Sequence, residues 1–201
     1  MDKIIPENVN FYEKMTACFG DLSQFEQKIQ QIAEIAGIDL RQYEIDHLAV
    51  RMNSLETAEK WRDLLVKNVK ILKESKVNGR PIGLFELKQA VDFCGQKVKI
   101  VELPFPKGKI YPQEGWEHAE AIIPMLEGEK VDQWISRVQK MFSLKENSEL
   151  SLKISQPEVE GEQLPNPTIA INVKNATLCN HSCLKLHPYG INDIICSENH
   201  F

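Results

Sequence analysis

Residues 44–51 read EIDHLAVR, and residues 116–124 read WEHAEAIIP. Each stretch alternates polar and apolar side chains, the pattern of a half-buried strand. Each also carries an acid–histidine pair, Asp46-His47 in the first and Glu117-His118 in the second. Counting by twos, Ile45, His47, Ala49 and Arg51 share one face of the first strand, with Leu48 and Val50 on the other. In the second strand His118, Glu120 and Ile122 line up against Ala119, Ala121 and Ile123. A histidine and an ionisable partner on one face of an otherwise apolar strand call for company from elsewhere in the chain.

The segments that follow the two strands match in order. After the first, Ser54 is an N-cap for LETAEKWRDLLVKN, with Trp61, Leu64 and Leu65 on one side. VKILKESKV comes next, then Asn78-Gly79, a strong hairpin signal, then RPIGLFELKQ, a turn at Asp92–Gly95, and QKVKIVELPFP. After the second strand, GEKVDQWISRVQKMF presents Val131, Trp134, Ile135 and Val138 on one helical face. Leu150–Ile154, a Pro-rich loop at 156–167, TIAINV, a turn at Lys174-Asn175 and TLCNHSCLKLHPYG complete the half. Trp61 falls 14 residues after His47, and Trp134 falls 16 after His118. The chain therefore repeats strand, helix, strand, strand, strand.

Ahead of the repeat, Leu22, Phe25, Ile29, Ile32, Ala33 and Ala36 form an amphipathic stripe ending at Gly37, with Gly20-Asp21 as a break upstream. The predicted architecture is α+β: an N-terminal helical extension over 1–40, then one domain over 41–201. That domain is built from two βαβββ modules, about 43–106 and 114–190, that curl into an open, barrel-like cavity.

Composition narrows the partners. The 201 residues are 42% hydrophobic and 26% charged, as in an ordinary globular protein. A net charge of −5 and a pI near 5.6, without a Lys/Arg cluster, argue against nucleic acid or an anionic membrane as partner. No apolar run approaches the roughly 20 residues of a membrane span. The N-terminal stretch lacks a secretory signal's apolar core, and five cysteines, an odd number, read as reduced thiols in the cytoplasm.

The first and last strands of each module are the natural contributors to a shared interior. On them Glu102 lies with Val98 and Ile100, and Cys183 and Lys185 lie with His187. His47, Glu102, His118 and His187 would make a three-histidine, one-carboxylate set suited to a divalent ion such as Zn, Ni, Co, Fe or Mn. Glu120 is a candidate general base, with an ion pair to Arg51 or Lys185 as the alternative. Arg51 and Lys185 would bind an anionic substrate group or neutralise buried carboxylates, and Gln89 is a further pocket candidate. CNHSC (179–183) has two thiols and a histidine, but no second ligand pair to close a zinc site, so it reads as a turn into a strand. Neither GxGxxG nor GxxxxGK[ST] occurs.

IDHLAVR, VELPFP and WEHAEAII resemble the strand motifs of the vicinal oxygen chelate superfamily, which includes glyoxalase I, extradiol dioxygenases and bleomycin-resistance proteins. GRPIGLFELKQ, YPQEGWEHAE, NPTIAINV and LKLHPYG are similar to the bacterial YecM family within it, a resemblance over roughly residues 5–195. It implies paired, glyoxalase-like βαβββ modules, an N-terminal helical extension, and metal ligands on the first and fourth strand of each module: His47, Glu102, His118 and His187. Many members have a carboxylate where this chain has His187, which leaves the metal open. The function implied is metal-dependent chemistry, isomerase or oxygenase-like, on a small oxygen-bearing molecule. A non-catalytic small-ligand binder using the same cavity is the alternative, and a structural scaffold with an internally paired polar interior is a third.

Overall fold

The computed structural model describes residues 7–156, 164–175 and 177–198; most of the Pro-rich loop lies outside the described residues. Two helices come first, α1 (Glu7–Phe19) and α2 (Leu22–Ala36). Gly20, at φ 92°, turns the chain between them, and the Asp21 carboxylate accepts the Gln24 N–H to start α2. Gly37, at φ 71°, closes α2 through its own N–H and that of Ile38, which donate to Glu34 and Ala33 carbonyls.

The first module follows as β1 (Ile45–Arg51), α3 (Leu55–Asn68), β2 (Lys70–Val77), β3 (Arg80–Phe93) and β4 (Gln96–Pro104). The second is β5 (Gly115–Ile122), α4 (Val131–Met141), β6 (Leu150–Ser155), β7 (Thr168–Val173) and β8 (Cys183–His187). Ser54 caps α3 as its sequence promised, accepting the Thr57 N–H. Both hairpin tips of the first module, Asn78-Gly79 and Cys94-Gly95, have two successive positive φ angles, as a tight two-residue turn requires.

The strands form one eight-stranded sheet, β2-β3-β4-β1-β5-β8-β7-β6, in which β1 and β5 join the modules antiparallel. The sheet stays open, with β2 and β6 as its edges. One face carries the main core: Leu48, Val50, Val101, Leu103, Ala119, Ala121, Leu184 and Leu186 are buried there with Trp61 and Trp134 of α3 and α4. Phe19 at the end of α1 meets Trp61 and Trp116 edge-on, at 5.0 and 5.2 Å between ring centres. Phe25, Ile29 and Ile32 of α2 are buried in the same core. The other face curls, so that Ile82 and Leu84 of β3 line one cavity together with Lys153 of β6 and Thr168 of β7.

A fifth helix, α5 (Ile191–Glu198), lies past the last strand, where the sequence reading ends its second module. Ile191 packs on Leu84 and Ile100 in a second, smaller apolar cluster, and Glu198 pairs with Lys73 of β2.

One expectation is corrected by the backbone. Ile45 does not share the His47 face, because the β1–β5 ladder pairs Ile45 with Ala121 but His47 with Glu120, leaving Asp46 in a bulge. The extra residue resets the alternation, and Ile45 joins Leu48 and Val50 in the main core.

Candidate metal centre

The bulge at Asp46 has a counterpart. On β5 the ladder pairs His118 with Ala49 and Trp116 with Val50, so Glu117 is the extra residue there. The shift of 71 positions that carries His47 to His118 also carries Asp46 to Glu117, Ala49 to Glu120, and the pair Ile45–Ala121 onto Trp116–Val50. An acid next to a histidine on a regular strand would point to the opposite face; the bulge brings it to the same side. Asp46 Oδ2 therefore lies 2.9 Å from His47 Nδ1, and Glu117 hydrogen-bonds His118 Nδ1. These two acids hold both rings with Nε2 facing inward, the arrangement that orients metal-bound histidines. The alternation alone assigns these two acids no role, and their position directly before each histidine is the available signal.

His47, Glu102 and His118 each offer a ligand atom within 4.8 Å of the others. Glu102 straddles the pair: Oε2 is 3.6 Å from His47 Nε2, and Oε1 is 3.6 Å from His118 Nε2. Ligands about 2.1 Å from a tetrahedral ion stand about 3.4 Å apart, so this spacing suits an ion between them. His47 Nε2 is fully buried and has no hydrogen-bond partner among the described residues. An orphaned ring nitrogen aimed at a second imidazole and a carboxylate fits a divalent ion, which would take the place of its proton.

Glu120 sits beside them. Its Oε1 is 3.2 Å from His118 Nε2, 3.5 Å from His47 Nε2 and 3.4 Å from Lys185 Nζ. Of the two pairings open to it, the structure shows Lys185 and not Arg51. Lys185 is also 3.1 Å from His118 Nε2. In the parallel ladders Ala49 faces Glu102 and Glu120 faces Lys185, so Lys185 is the second module's equivalent of Glu102.

His187 lies two residues further along β8, opposite Ile122, and stands apart from the three-residue group. Its ring is fully buried behind Glu120, with Nδ1 3.1 Å from Glu120 Oε2 but not aligned for a hydrogen bond, and Nε2 3.8 Å from Asp46 Oδ2, too far for one.

Arg51 is turned away from the centre. Its Nε donates to the Gln113 carbonyl at 2.7 Å, and its terminal nitrogens donate to His181 and Asn180 carbonyls at 3.0 and 3.1 Å. Asn180 and His181, both at positive φ, form the turn that presents those carbonyls, so CNHSC serves as a clasp for Arg51. Gln89 does not line the cavity between β3, β6 and β7. It is exposed in the irregular stretch of β3, where its backbone exchanges hydrogen bonds with the Tyr12 hydroxyl of α1.

Burial by itself would raise the carboxyls and lower the imidazoles, and the partners override it. The charge of Glu120 and the bond to Asp46 hold His47 well above the ordinary histidine value. Against both burial and Lys185, Glu117 and Glu120 raise His118 above the ordinary histidine value. Glu117 is drawn down to about 2 against burial, chiefly by His118. Glu120 is held well below the carboxylate range against burial, by His47, Lys185 and His187. For His187 burial wins, and its ring is lowered. Among the described residues, Asp46, Glu102, Glu117 and Glu120 have three imidazoles and one ammonium within ion-pair reach. These four carboxylates share one ammonium and two imidazoles held above their ordinary value, and a divalent ion would take the place of the imidazole protons.

Comparison with known proteins agrees with this architecture. A family model described as YecM protein matches residues 14–198. A Haemophilus influenzae protein described as uncharacterised is 49% identical over 182 residues, 90% of this chain and 94% of that one. Protein YecM of Escherichia coli is 35% identical over 180 residues, 89% of this chain and 90% of that one. A solved structure described as Structural Genomics, Protein EC4020 superposes with a TM-score of 0.77 at 29% identity, over 99% of both chains.

Proposed function

This chain belongs to the YecM family, and from that premise we propose that it binds a divalent metal ion through His47, Glu102 and His118 and is a metal-dependent enzyme. The observation that carries the reading is the buried, unpartnered Nε2 of His47, facing Glu102 and His118. Three protein ligands leave a coordination position for substrate, as catalytic sites do and closed structural sites do not. When bound, the ion supplies Lewis acidity to an oxygen of a small molecule.

The chain's own residues do the rest. Asp46 and Glu117 fix the ring tautomers and directions. Glu120, kept anionic by Lys185 and the imidazoles around it, takes a proton at Oε1, in keeping with an isomerase or oxygenase-like reaction. Lys185 lines the cavity between β3, β6 and β7 and a larger one beside it, and holds an anionic group of the substrate. His187 supports Glu120 from behind. Five free cysteines accord with a reducing cytoplasmic setting. No helix among the described residues is long and apolar enough to cross a membrane.

The test is metal uptake by the full-length protein. After dialysis against Zn²⁺, Mn²⁺, Ni²⁺ or anaerobic Fe²⁺, one of these should be retained at about one equivalent and raise Tm, since a ligand of the folded state alone must stabilise it. His118→Ala should lose both effects. Retention below about a tenth of an equivalent with no Tm shift overturns the metal site. Small-molecule binding without turnover in the metal-loaded protein assigns the cavity to a binder.

A further inference from the structure

A cavity of about 820 Å³ opens beside the centre, with His118 and Glu117 in its wall. Its charge contradicts the chain's. In a protein of net charge −5 the lining holds seven lysines and arginines against one carboxylate, Glu117. Arg51 and Lys185 are the inner ones, already committed to backbone carbonyls and to Glu120. At the rim Lys107 donates to the Asn78 carbonyl, and Lys109 sits over the Tyr111 ring.

The remaining three, Arg80, Lys153 and Lys174, have no carboxylate partner among the described residues. They come from both modules: Arg80 opens β3, Lys153 lies on β6 and Lys174 follows β7. Like charges gathered around a concavity repel one another and do nothing for the fold, but they focus an attractive field on an anion. The volume also exceeds what a two- or three-carbon molecule fills, and lies within the usual range for a sizeable ligand, roughly 300–1,000 Å³.

We propose that this cavity takes a small organic polyanion: an oxygen-bearing end reaches His118, while a tail carrying two or more negative charges, phosphate or carboxylate, lies among Arg80, Lys153 and Lys174. The inference about the reacting end rests on the metal reading above; the seat for the tail does not. It adds a substrate class to that reading, since a neutral molecule would leave these cations unused.

The test uses metal-free, full-length protein and calorimetry at 50 and 300 mM NaCl. Pyrophosphate represents a phosphate tail, citrate a carboxylate tail, and glycerol is the neutral control. The expected result is one site for pyrophosphate or citrate at low salt, weakened at high salt, with no glycerol binding. The tighter anion identifies the tail chemistry. Combining Arg80→Gln, Lys153→Gln and Lys174→Gln should weaken binding by about tenfold or more, whereas Lys60→Gln, Lys88→Gln and Lys140→Gln, an equal change in net charge away from the cavity, should leave it within about twofold. No anion binding at 50 mM salt overturns the proposal, as does equal binding by the parent and the Arg80, Lys153 and Lys174 variant, or an equal loss in the control variant. Zinc uptake is read separately in the same proteins. It should be equal in all three, and its absence alongside intact anion binding sinks the metal reading alone.

Discussion

Asp46 divides its carboxylate between the His47 ring and the first amide of α5. Its Oδ2 lies 2.9 Å from His47 Nδ1, and both oxygens accept the Ile191 N–H, at 3.1 and 3.0 Å. Asn at this position keeps an acceptor for Ile191 but removes the charge that orients and enriches the imidazole. Asp46→Asn should therefore retain the parent far-UV circular dichroism while losing about 10–100-fold in zinc affinity, measured by competition with a chelating dye.

Glu102 and His187 make a contrasting pair. Glu102→Gln removes the carboxylate that faces both Nε2 atoms and should weaken zinc binding by about 100-fold. His187→Gln alters a ring that stands behind Glu120 and should keep zinc affinity within about tenfold of the parent. Equal losses in the two variants would return His187 to the ligand set.

Gly115 begins β5 at φ 110°, and a Cβ there would run into the Phe19 carbonyl at the end of α1. Gly115→Ala combines a left-handed backbone with a clash against main chain, neither of which a side-chain rotation relieves. It should lower unfolding free energy by about 2 kcal/mol or more, read from the urea midpoint.

Arg51 holds three carbonyls from two separate segments and lies 5.0 Å from the Tyr111 ring centre. Lysine keeps the charge but cannot reach all three acceptors. Arg51→Lys should cost about 1–3 kcal/mol, and zinc uptake should stay at the parent level.

Burial pushes the Cys94 and Cys183 thiols up to about 12, with nearby carboxylates adding to it. At pH 8 both remain protonated, and their alkylation should rise only as pH approaches that value. Cys196 is exposed. Iodoacetamide at pH 8 followed by peptide mass spectrometry should find Cys196 modified first, with Cys94 and Cys183 protected until denaturant is added.

The repeat and its order of elements along the chain were legible because alternation, helix caps and Asn-Gly turns are local signals. The grouping of His47, Glu102 and His118 followed from that alternation, because period two holds over 47–49, 100–102 and 118–120, past the bulges at Asp46 and Glu117. The failures sit where periodicity is interrupted. Ile45 was misplaced because a bulge leaves no mark in the residue pattern. Gln89 falls in the irregular stretch of β3, where counting from the strand start loses its meaning. Two of the three partners of Arg51 are backbone carbonyls of a turn 129 and 130 residues away, and a carbonyl has no signature in sequence. The short helix α5, only eight residues long, offered too few turns for a periodic stripe.

The ladder between β1 and β5 maps onto itself about the Leu48–Ala119 pair, the symmetry of a two-fold dimer written into a single chain. A dimer of identical modules must place the same group on both sides of its axis. Covalent fusion lifts that obligation, and here the two sides have diverged to opposite charge: Glu102 answers to Lys185 across the site. The fused chain thereby has a polarity that no pair of identical subunits could have, with a carboxylate from one module and an ammonium from the other at equivalent positions.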